Sequence, residues 1–233
     1  MNCIFLRRGY PEVETAPEIL SAFADNEWTA IIYACQNNLV PSSWAVGNNK
    51  TMNIGGTNYQ IDIIGKNHDT YTSGGTAPLT FQLHDCYGTK YPMTSTYGAV
   101  YYWDTSVMRN THLPSILSKM PSEVQEAVKE VNKLTSAGNQ STTIKTTAEK
   151  LFLLSLVEAT NNTLYPVSGE GTQYEYYKNG GSAIKYFSGS ASIWFTRSPR
   201  RSDSTTMCGV STSGSFANCA PSSNNGVSFA FCF

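Results

Sequence analysis

The ending Gly226-Val227-Ser228-Phe229-Ala230-Phe231-Cys232-Phe233 constrains the fold of this chain more than any other segment. Positions two apart in a strand share a face. Phe229, Phe231 and Phe233 therefore form one ring-bearing face that must be covered. The alternation predicts a strand within a central sheet, close to elements of the N-terminal half, with its rings turned inward. A chain of 233 residues buries roughly 70% of its extended surface on folding. It needs neither metals nor disulfides to be stable.

Further upstream, Trp28, Ile31, Ile32 and Cys35 recur at i, i+3, i+4 and i+7, the stripe of an amphipathic helix. Asp25 is the expected N-cap, and Asn37-Asn38 ahead of Pro41 is the expected stop. Met52 and Ile54, then Gly55-Gly56, then Tyr59, Ile61 and Ile63 read as a hairpin. Leu79, Phe81 and Leu83 alternate again. A second helix is expected from Ser122, with Ser122 and Gln125 exchanging backbone bonds as a capping box. Its expected apolar face is Val124, Ala127, Val128 and Val131. The stretch 136–147 reads as a polar loop, and Leu151–Leu154 as a short buried strand. The fold class is α+β, with two helices around small mixed or antiparallel sheets joined by long loops. Residues 1–24, with Pro11 and Pro17, read as an arm or linker, and 25–233 as one domain.

Net charge is −1 and charged residues make up 14%. With no basic stripe, the chain has no electrostatic footprint for nucleic acid. The start from Met1 to Arg8 places apolar residues before arginines, the reverse of a secretory signal. No run of 18 apolar residues suggests membrane insertion. Cys3, Cys35, Cys86, Cys208, Cys219 and Cys232 show no zinc spacing and read as buried free thiols. A disulfide among the last three stays open. No metal or other cofactor is expected. His68-Asp69 and His84-Asp85 read as structural hydrogen-bonding pairs, since no third ligand lies at a recognisable spacing. His112 reads as a cap or loop residue. Tyr174, Tyr176 and Tyr177 read as scaffold, with some at the rim of a binding face. There is no Gly-x-Ser-x-Gly, no His-Glu-x-x-His and no phosphate-binding glycine loop.

Several ordered segments carry a resemblance. They are Ile64-Gly65-Lys66-Asn67-His68-Asp69, Thr80-Phe81-Gln82-Leu83, Ser106-Val107-Met108-Arg109, Leu113-Pro114 and Lys150-Leu151-Phe152-Leu153-Leu154-Ser155. Gln173-Tyr174, Arg197-Ser198-Pro199 and Gly226-Val227…Phe231-Cys232 complete the set. Together they resemble an uncharacterised domain family of gut Firmicutes and their phages, whose members often serve as variable proteins of diversity-generating retroelements. The family carries Gly-Gly-Trp where this chain has Tyr101-Tyr102-Trp103, which puts the local backbone there in doubt. The resemblance implies a C-type-lectin-like fold, related to that of formylglycine-generating enzymes. It also implies a diversified loop that recognises a surface molecule, as in the tropism determinant of a phage.

Rewriting the adenines of Asn codons reaches every residue type except Lys, Glu, Gln, Met and Trp. From Arg200 to Asn225 the chain has none of these but Met207, where roughly four would follow from proportion. The resemblance places a fixed apolar residue before a cysteine here, which implies that Met207, Cys208 and Val210 are scaffold. The expected ligand contacts are Arg200, Arg201, Ser202, Asp203, Ser204, Thr205, Gly209, Ser211, Thr212, Phe216, Asn218, Cys219, Ser223 and Asn225. Arg200, Arg201 and Phe216 are the expected anchors, because arginine and aromatic residues dominate binding hot spots. The expected partner is a protein or glycan on a host or neighbouring cell, met at a phage tail tip or a bacterial surface. Presentation in an oligomer or on a fibre would raise avidity. The enzymatic alternative is a formylglycine-generating copper oxidase using Cys208 and Cys219. The other alternative is an ordinary carbohydrate-binding domain, although no calcium-binding Glu-Pro-Asn or Gln-Pro-Asp triplet is present.

Overall fold

The structure is a computed structural model that describes residues 15–233. Most of the proposed arm lies outside these residues, as do the Met1–Arg8 start and Cys3. The arm's described end belongs to the folded body. Phe23, in a 3-10 turn spanning Phe23–Asp25, is buried with ring centroids 6.4 Å from Trp28, 5.4 Å from Trp44 and 6.1 Å from Phe81. Asp25 therefore sits in that turn and does not cap the following helix.

Helix α1 (Trp28–Gln36) has Glu27 at its N-cap position with no side-chain cap bond. Its start is fixed instead by Trp28, which is buried and whose Nε1 donates to Thr51 O at 3.1 Å. Asn38 ends the helix with φ +56°, and Leu39 N closes back on Ala34 O at 2.8 Å. Strands β1 (Asn49–Ile54) and β2 (Thr57–Lys66) form the expected hairpin across Gly55 and Gly56, both at positive φ as a tight two-residue turn requires. Strand β3 is Leu79–Leu83.

A π-turn at Met108–His112 runs into α2 (Leu113–Leu117), followed by α3 (Ser122–Ala127). Hairpin β4 (Val131–Ser136) and β5 (Ile144–Glu149) comes next, then β6 (Phe152–Leu153), α4 (Leu156–Thr160) and α5 (Glu175–Lys178). Hairpin β7 (Lys185–Phe187) and β8 (Ser190–Ser192) precedes β9 (Trp194–Pro199), β10 (Met207–Val210), β11 (Phe216–Cys219) and β12 (Phe229–Cys232). The architecture is α+β with small sheets in which all strand pairings are antiparallel, and its helices outnumber the two expected. Among the described residues, no helix is long and apolar enough to cross a membrane.

The largest sheet has the order β1-β2-β3-β12-β6, so the terminal strand lies between β3 and β6. Phe229, Phe231 and Phe233 enter the main core with Phe81, Trp28 and Phe23, while Ala230 and Cys232 face a second core cluster. Rings on one face and small residues on the other thus reflect burial on both sides. The hairpin-strand alternation and the 151–154 strand are likewise where the sequence puts them.

Two local expectations fail. Helix α3 begins after Pro121 with no side-chain cap, and Gln125 Nε2 bonds to Met120 O at 2.7 Å instead of joining a capping box. The capping box lies at Ser155 and Glu158, where each side chain takes the other's backbone N–H. The 136–147 segment is not a plain loop, since Ser136 and Ile144–Thr147 belong to the β4–β5 hairpin. That hairpin escaped the hydrophobic pattern because it is inverted: Lys133 and Thr135 are buried, while Leu134 is partly exposed. Val131 opens this strand and is not part of the α3 face.

Candidate functional site

The 200–225 stretch is organised by a three-stranded sheet of order β11-β10-β9. Pro199 pairs with Met207, and Met207 with Cys219. The 200–206 loop and the 220–225 segment therefore leave the same end of this sheet. The 91–104 loop joins them there: Tyr101 N donates to Ser204 O (2.9 Å), and Met93 N and Thr94 N to Pro221 O (2.7 and 3.1 Å). The 211–215 turn sits at the opposite end, beside a cleft lined by Thr160, Gln173, Tyr177 and Ser182.

Exposure sorts the expected contacts. Arg201, Ser202, Thr205, Thr212, Asn218 and Ser223 are exposed, and Arg200, Asp203, Ser204, Ser211 and Asn225 are partly so. Asp203 is committed to its own loop, because its carboxylate takes Thr205 N and Oγ1 at 2.9 and 2.8 Å. Those bonds hold its carboxyl below the usual range. Phe216 is half-buried and stacks on Tyr165 with centroids 3.7 Å apart, so it is partly scaffold. Gly209 and Cys219 are corrections: both are buried and cannot meet a ligand. A Cβ on Gly209 would lie 2.6 Å from Cys219 Sγ and 2.9 Å from Trp194 O, so the two positions pack against each other. Met207, Cys208 and Val210 are buried, as scaffold should be.

Beneath these loops lies a closed polar cluster. Arg197, fully buried on β9, donates to Glu158 Oε2 (2.6 Å) and Oε1 (2.9 Å), and to Leu134 O, Thr135 Oγ1 and Leu153 O. Lys133 Nζ bridges Asp69 (2.7 Å) and Glu158 (2.8 Å). Tyr174 OH and Thr80 Oγ1 donate to Asp69. Burial pushes the Asp69 carboxyl up, but the charge and hydrogen bond of Lys133 outweigh it and bring it to about 2. Glu158 is lowered in the same way, with burial opposed by Arg197 and Lys133. Two anions thus balance two cations. Glu170 is a further carboxyl, taking Ser136 N (2.7 Å) and Ser198 Oγ, and burial pushes it up to about 7 against those bonds. Its location and neighbours suit holding β9 in place just before the loop begins. Tyr101 OH adds a bond to Arg197 O.

With this geometry in view, residues 81–233 match the family described as Domain of unknown function (DUF6273). The chain belongs to that family. No curated protein and no solved structure shows significant similarity to it. The DUF6273 match takes in both exposed loop ends, the polar cluster apart from Asp69 and Thr80, the last three residues of β3 and strands β4 through β12, while α1 and the β1–β2 hairpin precede it.

Within the DUF6273 region, Cys208 and Cys219 lie in different core clusters on opposite faces of the β10–β11 hairpin. The described cysteines are all free and buried. Burial pushes Cys219 up to about 12 and Cys208 higher still, away from a reactive thiolate. His68 stacks on Tyr174, and burial lowers its pKa. His84 Nδ1 pairs with Asp62 at 2.8 Å, not with Asp85, and that hydrogen bond raises its pKa. Asp85 instead takes Tyr186 N. His112 stacks on Tyr91. Tyr174 and Tyr177 are buried scaffold, and Tyr176 is half-buried.

Sequence reasoning missed Tyr97, 88% exposed at the tip of the 91–104 loop, because no pattern around it marks exposure. It also missed the polar cluster, although Ser155-Leu156-Val157-Glu158 spells the capping-box signal.

Proposed function

We propose that this chain is a ligand-display module, the variable protein of a diversity-generating retroelement with a C-type-lectin-like fold. On this reading it recognises a molecule on a host or neighbouring cell, from a phage tail tip or a bacterial surface. The observation that carries the reading is the division within 200–225. The residues of β10 are buried, while the side chains at the loop ends on either side reach solvent and make few bonds to the body. Exposed positions can therefore change without touching the core, which is what diversification demands. The anchored aromatic and polar cluster beneath supplies the rigid base that such a surface needs. The copper-oxidase alternative is disfavoured because its two cysteines face opposite ways and both thiols are held protonated by burial.

Sequencing sibling genes from the same source tests this reading. Differences should cluster at codons of exposed residues between 200 and 225, opposite adenines of a nearby template repeat. They should spare Met207, Cys208, Gly209 and Val210. Exchanging those exposed residues between two siblings should move cell-surface binding from one target to the other. Differences spread evenly along the chain, with no repeat, would leave an ordinary lectin-like domain.

A further inference from the structure

We infer that Arg200 and Arg201 form an anion subsite that takes the carboxylate or sulfate of an acidic glycan, an assignment that rests on the display reading above. The first observation is a missing partner. Arg200 Nε is buried without a hydrogen-bond partner, whereas the Thr206 hydroxyl lies within reach of the Asp203 carboxylate. The two residues close the same loop through Arg200 N and Thr206 O, 3.2 Å apart. Buried donors in folded proteins are paired in the great majority of cases. The unpaired Nε at the neck of this loop marks a guanidinium that the fold has not committed to a partner of its own.

The second observation is charge. None of the ion pairs among the described residues includes Arg200 or Arg201. Asp203, the acid of this loop, has its Oδ1 turned to Thr205 and makes no direct ion pair with either arginine, although the Arg200 charge helps to lower its carboxyl. Elsewhere in the molecule, Arg197 and Arg109 each hold a carboxylate. Arg200 is also pre-positioned, with its Cζ 6.0 Å from the centre of the Phe216 ring, which itself stacks on Tyr165. Arg201 is tied at its backbone N to Tyr165 O at 3.0 Å and leaves its side chain exposed. Two adjacent guanidinium groups, one of them 6.0 Å from a ring centre and neither in an ion pair, suit the planar oxygens of a carboxylate or sulfate.

The surroundings favour a sugar as the carrier of that charge. Ser202 and Ser204 follow the cations in the same loop, and Tyr97 presents an exposed ring on the 91–104 loop that bonds to Ser204. Hydroxyls and a flat ring complement the hydroxyl edges and C–H face of a pyranose. An acidic peptide would instead call for pockets that bury its apolar anchors.

The test uses the whole chain on an array of sialylated, sulfated and uronate-bearing glycans. Each is printed beside its neutral parent, together with Glu-rich peptides. At least one acidic glycan should be bound at least tenfold more tightly than its neutral parent. Arg200→Ser with Arg201→Ser should remove that preference, with an unchanged melting curve showing that the fold survives. Arg201→Ser alone, at an exposed position, should weaken the acidic glycan and leave its neutral parent unaffected. Binding confined to Glu-rich peptides, no acidic glycan above its parent, or a preference that survives both substitutions would overturn the assignment. A neutral ligand lost on exchange of the exposed loop residues would overturn the anion subsite while leaving the display reading intact.

Discussion

Arginine plays opposite parts in two regions a few residues apart. Arg197 is fully buried and satisfied by Glu158, the carbonyls of Leu134, Leu153 and Glu170, and the Thr135 hydroxyl, and its charge is matched within a closed cluster. Arg200 and Arg201 sit beyond the end of the same strand in no ion pair, Arg201 exposed and Arg200 partly so. Charge that is paired inside the fold fixes the strand. Charge left unpaired at the loop is free for a ligand. Three residues of chain separate the two roles because β9 ends at Pro199 and the chain passes into the 200–206 loop.

The largest effect should come from breaking the buried side. Arg197→Ala strips Glu158 of its bidentate partner and leaves Leu134 O and Thr135 Oγ1 without their donor. Removing one member of a buried pair costs about 3–5 kcal/mol, a large share of the roughly 5–15 kcal/mol that holds a domain folded. A urea melt should show the midpoint collapse. A loss below about 1 kcal/mol would mean that the cluster is hydrated and the contrast with Arg200 is false.

Proton linkage sharpens the same contrast. Glu170 is raised from 4.5 to about 7 by burial. Below pH 4.5 it is neutral in both states and its stabilising contribution is complete. As pH rises the unfolded chain loses the proton first, so stability falls through pH 7 by on the order of 3 kcal/mol and then levels off. Asp69 acts at the other limit: lowered to about 2, it stabilises above 3.8, and that contribution is lost as pH falls through 2. Glu170→Gln should flatten the decline between pH 4.5 and 7 in thermal melts while keeping the acid limb. Parallel curves for the two proteins would show that Glu170 ionises freely.

The smallest effect belongs to the exposed loop residues. Alanine at Arg201, Ser202 and Ser223, all exposed, should change stability by no more than about 0.5 kcal/mol each. The melting temperature should stay within a few degrees. A larger drop would make these residues structural and dissolve the division between base and surface.

The sequence by itself determined the elements whose apolar residues keep a period. Helix α1, the β1–β2 hairpin, β3, and the terminal strand with its rings on one face were all legible, because hydrophobic burial writes a repeat into the chain. The anchoring of Met207, Cys208 and Val210 came instead from the family resemblance, since no repeat marks it. Tertiary structure decided what no repeat encodes. Strand β4 turns Lys133 inward and Leu134 outward because Asp69 and Glu158, distant in sequence, meet the lysine there. Strands β10 and β11 hide in a Ser- and Gly-rich stretch because both faces of β10 are buried and alternation disappears. Gly209 and Cys219 pass from expected contacts to packing partners, since burial is a property of neighbours that the local sequence does not carry. Likewise, Tyr97 joins the exposed end only through the backbone bonds that bring the 91–104 loop to Ser204 and Pro221. Local patterns record which faces are apolar, and only the assembled fold reveals which polar groups find one another.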